Sequence, residues 1–515
     1  MKVLPGLVYL ALAATALGDG QRINQEGRIL GPAPSVTQPI LFDTAAADAA
    51  VSAMQILPVT NPWNENVSQL PLLANSTAMI AQITSDLASS RGTLRPFYEM
   101  NYVLVPDNQP TQSILFFNYP DESDLNGGTS PSGLYPIPSN LPIESWPVET
   151  GTLTLTQWQE DVNNTGGDRH AIMVQPGAGY SFETWEALLT NGAWQASNGA
   201  IFNLNSNALR PEGWTSGDAA GLPMFPAVVR YDECERGMVE HAVRLVVART
   251  RVGPIYPATH QASVGNTTNP NIPAMGQRIR LKASFTIPAA WTKEETAVCL
   301  GLKKYGGIVA DNGGFFSFSV CPDDRFAANA FNDLSTIPIS DFEVVQSTGT
   351  NGGPRSPGAP TADAGSDQYV PYGTGVALPG NVTTAGATPV IQWRLYSGPG
   401  TVTFGNSAQA ATTATFSLPG IYTLMLSAND GVHAVAYNAV NIHVSVSVTG
   451  SNGGKNFLVS FPSLTGHTYR VEWAADLSTN MWTTLADNIS GTGGVIQIAD
   501  TLSQPQRFYQ VLVLQ

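Results

Sequence analysis

Charge is what this chain has least of. Of 515 residues, 24 are basic and 39 acidic, or 12% charged, about half the usual share for a soluble domain. Hydrophobic residues make up 43%, so the chain is not built like a disordered one, which needs the reverse balance. Long helices and coiled coils draw on Glu, Lys and Arg, and they too are excluded. The net charge of −15 argues against nucleic acid as a partner, because duplex binding rests on basic contacts to phosphate. Cysteine is scarce as well. Cys234, Cys299 and Cys321 are the three present; they make no disulfide scaffold and match no zinc spacing. There is no Walker-A loop, no GxGxxG after a strand, no HExxH and no GxSxG, so the commonest nucleotide, zinc-protease and serine-hydrolase marks are missing.

What is present points outside the cell. Met1–Gly18 reads as a signal peptide, with Lys2 at the start, an apolar Leu7–Leu17 broken by Thr15, and small residues at Ala14, Ala16 and Gly18. The apolar run is too short to span a bilayer as a helix. No later stretch reaches that length, so no membrane span is expected in the mature chain, and the expected location is extracellular. Glycine (49) and proline (37) are frequent, as suits strands joined by turns.

The clearest boundary is the Gly/Pro-rich stretch 349–362, which has linker chemistry. After it, residues 363–448 alternate at period two between turn signals. Gly375–Leu378, Val390–Leu395, Val402–Phe404, Thr413–Phe416, Gly420–Ala428 and Ala434–Val448 read as strands, the last long enough for two. About seven short strands in such a span is a β-sandwich signature. The stretches ADAGSDQYV, WRLYSGPGTVTF and ATFSLPGIYTLMLSANDG resemble the PKD-type immunoglobulin-like module, in a divergent form that lacks a WDFGDG-like stretch. The resemblance implies a spacer or a weak polysaccharide binder. Residues 449–515 form another small β unit, in which YRVEWAADLSTNMWTTL and RFYQV resemble C-terminal modules appended to exported bacterial enzymes.

Residues 19–348 hold most of the ionisable groups, so any chemistry is expected there. The best helix is Lys293–Tyr305, with a capping box from Thr292 and Glu295 and with Gly306 and Gly307 as its stop. Ala45–Ile56 and Thr77–Leu87 are two further helices. Strands are expected at Thr152–Trp158, Ala171–Gln175, Met238–Val247, Gln277–Ile287 and Gly314–Val320, and long loops at about 105–150 and 203–226. NPWN at Asn61–Asn64, DRH at Asp168–His170, RPEGWTSGDAAGLP at Arg210–Pro223, YDECERG–EHA at Tyr231–Ala242, YPATH at Tyr256–His260 and LKKYGGIVADNGG at Leu302–Gly314 resemble stretches of a group of large exported bacterial proteins. That resemblance implies export and domain extent over most of 30–345, and no mechanism.

In so uncharged a chain, a charge inside an apolar or Gly-rich stretch carries information. Arg230–Gly237 reads as one helical turn ended by Gly237, and Glu233 lies in it. His241 follows on an otherwise apolar strand face, either as a satisfied core residue or as a cleft residue able to move protons. Asp168 stands two residues from His170 and can orient its imidazole. Asp218 sits among glycines that let a backbone approach a ligand closely, and Asp311 sits in a D-N-G-G stretch that reads as a hairpin turn. Glu233, His241, Asp218, Asp311 and His170 are therefore the catalytic candidates. Trp185 beside Glu183, Trp214 and Arg280 are the substrate-binding candidates. Asp121, Glu122 and Asp124 form an acidic loop suited to calcium, without EF-hand spacing.

The fold expected is mainly β: a large β-sandwich or jelly-roll-like domain (19–348) with a few peripheral helices, then two small β-sandwich modules (363–448 and 449–515). Trailing β modules suit a polymeric target, because they raise effective concentration at a surface. The function expected is a secreted polysaccharide-active enzyme, a glycoside hydrolase acting on a polysaccharide or cell-wall polymer with paired carboxylates. It requires no cofactor, and a structural Ca2+ is allowed for. The alternatives are a non-enzymatic carbohydrate-binding or adhesion protein, and a polysaccharide lyase with His241 as base and Arg280 neutralising a uronate.

Overall fold

The computed structural model describes residues 22–262, 267–346, 358–453, 456–476, 481–501 and 507–514. The expected signal peptide and most of the expected linker lie outside those residues. The chain is mainly β and divides into two compact units, the first built on Arg22–Ala359 and the second on Pro360–Asp430 and Val435–Gln515.

The described residues of the first unit form three sheets. The run Ala171–Gln175 (AIMVQ) is central to a five-stranded sheet with Ile40–Leu41, Val103–Leu104, Tyr180–Trp185 and Asn198–Asn203. Its apolar run has no polar alternation because both faces are covered. Ala171 and Met173 pack on one side with Ile114, Phe116, Tyr135 and Trp194 of a four-stranded sheet, while Ile172 and Val174 join the larger core on the other side. The third sheet has six strands in the order Phe342–Val344, Arg278–Leu281, Gly307–Asn312, Val243–Val247, Phe316–Val320 and Leu94–Tyr98. It is mixed, with Val243–Val247 parallel to Gly307–Asn312 and Phe316–Val320 parallel to Leu94–Tyr98.

Among the described residues, five short α-helices accompany these sheets: α1 (Ala45–Ser52), α2 (Ser76–Ser85), α3 (Leu155–Gln159), α4 (Tyr231–Arg236) and α5 (Lys293–Lys304). The capping box expected of α5 is present: the amide of Glu295 donates to Thr292 Oγ1 at 3.1 Å, and the amide of Thr292 to Glu295 Oε2 at 2.9 Å. Gly301 lets α5 approach the chain at Val239, since a Cβ there would stand 2.7 Å from the Val239 carbonyl oxygen. Gly237 ends α4 at φ 90° in the left-handed region, as its place in the sequence implied. All three cysteines are buried and free.

Several elements differ from the sequence expectation. Thr152–Trp158 is not a strand. Thr154 and Gln157 form a capping box that starts α3, and that local chemistry outweighs the alternation of TLTLT. The strands expected over Met238–Val247 and Gln277–Ile287 shorten to Val243–Val247 and Arg278–Leu281. Asp311 is not in a hairpin turn but in the strand Gly307–Asn312, where it pairs with Val246 after a register shift. The loop expected at 105–150 contains the strands Gln112–Phe116 and Ser132–Tyr135.

The second unit is two small sandwiches. In the first, Gln368–Pro371, Ala436–Ser445, Gly420–Asn429 and Val390–Ser397 form one sheet; Val376–Pro379, Ala411–Phe416 and Val402–Phe404 form another. Trp393, Tyr422 and Leu424 are fully buried between them. The stretch expected to hold two strands at Ala434–Val448 is one, Ala436–Ser445. The second sandwich pairs two three-stranded sheets around Val459, Phe461, Tyr469 and Val471. No helix among the described residues is long and apolar enough to cross a membrane.

Candidate functional site

One face of the six-stranded sheet is polar, and strand alternation makes it so. In Val243–Val247 the odd positions Val243, Leu245 and Val247 join the core, so Arg244 takes the other face. Phe316, Phe318 and Val320 likewise join the core, which leaves Ser317 and Ser319 opposite. Arg244 is 5% exposed and gathers three carboxylates: Nε donates to Asp218 Oδ2 at 3.0 Å, Nη2 to Asp311 Oδ2 at 2.6 Å, and Nη1 lies 4.0 Å from Glu99 Oε1. Ser319 donates to Glu99 Oε1 at 2.7 Å.

Asp218 is fully buried, whereas Asp311 and Glu99 are 22% and 24% exposed, so these two reach the surface from a shared guanidinium. Burial pushes the Glu99 carboxyl up to about 7, helped by the charge of Glu144 and opposed by Arg244. Burial likewise raises Asp218 to about 6, against the pull of Arg244.

His170 joins this group from the end of the five-stranded sheet. Its Nε2 lies 2.7 Å from the Gly217 carbonyl, beside Asp218, and its Nδ1 lies 2.9 Å from Glu144 Oε2. A carbonyl only accepts, so Nε2 carries a proton, and the carboxylate favours one on Nδ1 as well. The ring is held as an imidazolium: although burial opposes the charge, Glu144 raises its pKa to about 9. Glu144 is lowered in turn, because the charge and hydrogen bonds of His170 outweigh its burial. The residues flanking this pair, Ser145 (φ 65°) and Arg169 (φ 45°), are non-glycines in the left-handed region. Such backbone persists only where its surroundings fix it. The orienting partner of His170 is Glu144, not Asp168, which is exposed and accepts from Trp185 Nε1 at 3.3 Å.

Glu233 and His241 form a second group that shares no residue with the first. His241 Nε2 lies 3.0 Å from Glu233 Oε2, and its Nδ1 lies 2.7 Å from the Ala242 carbonyl. Arg230 sits 2.9 Å from Glu233 Oε1. Despite burial that pushes the other way, Arg230 and His241 hold Glu233 down at about 2. Glu233 is 1% exposed and has no proton to give at neutral pH. Both nitrogens of His241 are taken, so it is no free base. This pair belongs to the fold.

The other candidates are also placed. Glu183 is fully buried; its oxygens accept from Ser181, Met224 and Phe225, so it fixes the chain at Met224–Phe225 rather than touching substrate. Arg280 is buried against Glu343 at 2.7 Å and the Leu70 carbonyl at 3.1 Å, which removes it from uronate binding. Trp185 is half-buried against Tyr119, with ring centroids 5.9 Å apart. Trp214 lies beneath the Arg210 guanidinium at 5.5 Å.

The acidic loop does not form a calcium cage. Asp124 pairs with Arg210 at 2.5 Å, Glu122 accepts the Thr215 amide at 2.9 Å, and Asp121 is exposed. Arg210 also donates to the Thr215 carbonyl at 2.8 Å. Glu122, Asp124 and Arg210 thus anchor the Gly-rich loop that carries Asp218. Among the described residues, no group of three or more His, Cys, Asp or Glu side chains is arranged to hold a metal ion.

Sequence reasoning named Asp218, Asp311 and His170 but missed Glu99, Glu144 and Arg244. A guanidinium between two buried valine and leucine positions of a strand was the available signal for Arg244.

No protein-family model matches the chain, and no curated protein does. Among solved structures it is similar to the PKD domain of the KIAA 1837 protein, at 24% identity over 19% of this chain and 91% of that one, with a TM-score of 0.15. It is similar also to the PKD domain of human KIAA0319, at 21% identity over 21% of this chain and 100% of that one, with a TM-score of 0.17. A nucleoside hydrolase-related hypothetical protein from Saccharophagus degradans matches at 18% identity over 25% of this chain and 35% of that one, with a TM-score of 0.16. These scores go no further than a partial likeness to PKD-like β domains, and nothing about the site follows from them.

Proposed function

We propose that the chain is a secreted polysaccharide-active enzyme of the glycoside hydrolase type, with Glu99 and Asp311 as its carboxylate pair. One observation carries this reading: both side chains reach the surface while touching the same buried guanidinium, at 4.0 and 2.6 Å. Because both carboxyl groups meet one guanidinium, their separation is at most roughly 9 Å, the upper limit that glycoside hydrolysis uses. With its pKa near 7, Glu99 is suited to give a proton to a leaving oxygen and take one back. Asp311, bonded to Arg244, serves as nucleophile or base. Asp218 completes the neutralisation of Arg244, and His170 fixes the Gly217 backbone beside it.

A sugar also needs an apolar surface. Phe97 stands two residues before Glu99 and pairs in register with Ser319, whose hydroxyl bonds Glu99. It packs edge-on against Phe315 at 5.3 Å, and both rings are half-buried. Arg91 covers one face of Phe315 at 4.2 Å, so Phe97 is the ring proposed to meet the C–H side of a pyranose.

The test is a polysaccharide panel read for new reducing ends and, separately, for the ultraviolet absorbance of unsaturated uronates. Glu99→Gln and Asp311→Asn should each lower turnover by about 10²–10⁴-fold, with thermal midpoints near that of the wild type. Turnover unchanged in both variants would remove the assignment. Binding without any cleavage across the panel would favour the adhesion alternative.

A further inference from the structure

The edge strand Leu94–Tyr98 and the turn before it carry two arginines that the hydrolase reading does not use. Leu94 and Tyr98 turn into the core, so Arg95 and Phe97 take the polar face of the six-stranded sheet. Glu99 continues that face, since its carboxyl accepts from Ser319, the register partner of Phe97. Arg95, Phe97 and Glu99 thus stand in one row. Phe97 meets Phe315 at 5.3 Å, and the exposed Arg91 lies over Phe315 at 4.2 Å. A guanidinium therefore stands on each side of the pair of rings.

Charge and spacing define what this row can bind. The chain carries a net charge of −15, and Arg210, Arg230, Arg236, Arg244 and Arg325 each hold a carboxylate. Among the described residues, Arg91 and Arg95 hold none. Arg91 donates to the Gly314 carbonyl at 3.0 Å, and Arg95 to the Ser335 hydroxyl at 3.3 Å. A guanidinium has five N–H donors, so most of each fork is left over. Such a fork matches the oxygens of a carboxylate or a sulfate, and a neutral sugar has no group to balance it. Four strand residues separate Arg95 from Glu99, about 13 Å, farther than one pyranose unit spans. An anion held by Arg95 therefore sits on a neighbouring unit, away from the carboxylates of Glu99 and Asp311. We propose that Arg95 and Arg91 bind an anionic group, a carboxylate or a sulfate ester, on a sugar unit beside the one cleaved, which makes the substrate an acidic polysaccharide. The position of the cleaved unit rests on the hydrolase reading.

Affinity electrophoresis of the full chain tests this, in gels holding polygalacturonate or its methyl ester, and dextran sulfate or plain dextran. Retardation by an anionic polymer and not by its neutral counterpart is expected. Polygalacturonate as the retarding polymer identifies a carboxylate, and dextran sulfate alone a sulfate. Arg95→Met should weaken the binding at least about tenfold, as loss of a charge-assisted hydrogen bond implies. Arg91→Gln, at an exposed position, should weaken it too and decides the matter if Arg95→Met folds poorly. Lys293→Gln removes an exposed charge on α5 and should change nothing. Four results overturn the proposal: no retardation by either anionic polymer; equal retardation by the neutral ones; retardation unchanged in both arginine variants; or an equal loss in Lys293→Gln. The readout needs no cleavage. Arginine-dependent retardation without new reducing ends would count against the hydrolase reading alone, and cleavage confined to neutral polymers would count against this proposal alone.

Discussion

Protons at individual side chains set the expected response of this protein to pH. His170 is raised to about 9 from an ordinary 6.5, and Glu99 and Glu183 to about 7 from 4.5. Asp218 is raised to about 6 from 3.8. Each of these groups binds its proton more tightly folded than unfolded. The folded state therefore holds more protons between about pH 4 and 9, and stability falls as pH rises through that window. Glu233 acts oppositely: lowered to about 2 from 4.5, it stabilises above its ordinary value and loses that contribution as pH falls toward 2. Denaturant midpoints measured across pH should peak on the acid side of neutrality, near pH 4–5, and decline toward pH 9. In His170→Gln the decline between pH 6.5 and 9 should flatten. A maximum at pH 8 would contradict the imidazolium assigned to His170.

At the scale of elements, local signals were legible wherever they met no rival. Ala171–Gln175 and Val402–Phe404 match their expected bounds, because a dense apolar run or a strict alternation between turns leaves one reading. α5 followed from its capping box. Removing that box by Thr292→Ala should cost about 1–2 kcal/mol in a urea titration, since the threonine hydroxyl also donates to the Ala330 carbonyl at 2.7 Å. Where two local signals competed, the weaker was read: α3 hid behind alternation, and Asp311 behind turn chemistry that two flanking strands override. The site itself was half legible. Asp218, Asp311 and His170 stood out as charges in apolar or Gly-rich settings. Glu99 and Glu144 did not, because what brings them into this group is contact with Arg244 and His170, far away along the chain. Spacing cannot report a pairing that only the sheets bring about.

For the molecule as a whole, the scarcity of charge is resolved by clustering. Many ionisable groups of the first unit gather in dense networks, although Glu183, Arg210, Arg278 and Arg280 are buried elsewhere. One surrounds Arg244, one surrounds Asp232, and one ties Arg325 to Asp48 and Asp323 at 2.5 Å each. The second unit has cores of its own and few charges, as the composition shift after the linker implied. The cysteines follow the same division. Cys234, Cys299 and Cys321 all lie buried in the first unit, and residues 360–515 contain none. Burial raises all three thiols, Cys299 to about 12, so alkylating reagents should be excluded from the native protein and react only as it opens. Mass spectrometry of chains quenched along a denaturant series should show zero to three adducts in step with the loss of the first unit. Three native side chains thus act as an unengineered clock for the larger unit of the molecule, while the smaller stays chemically mute.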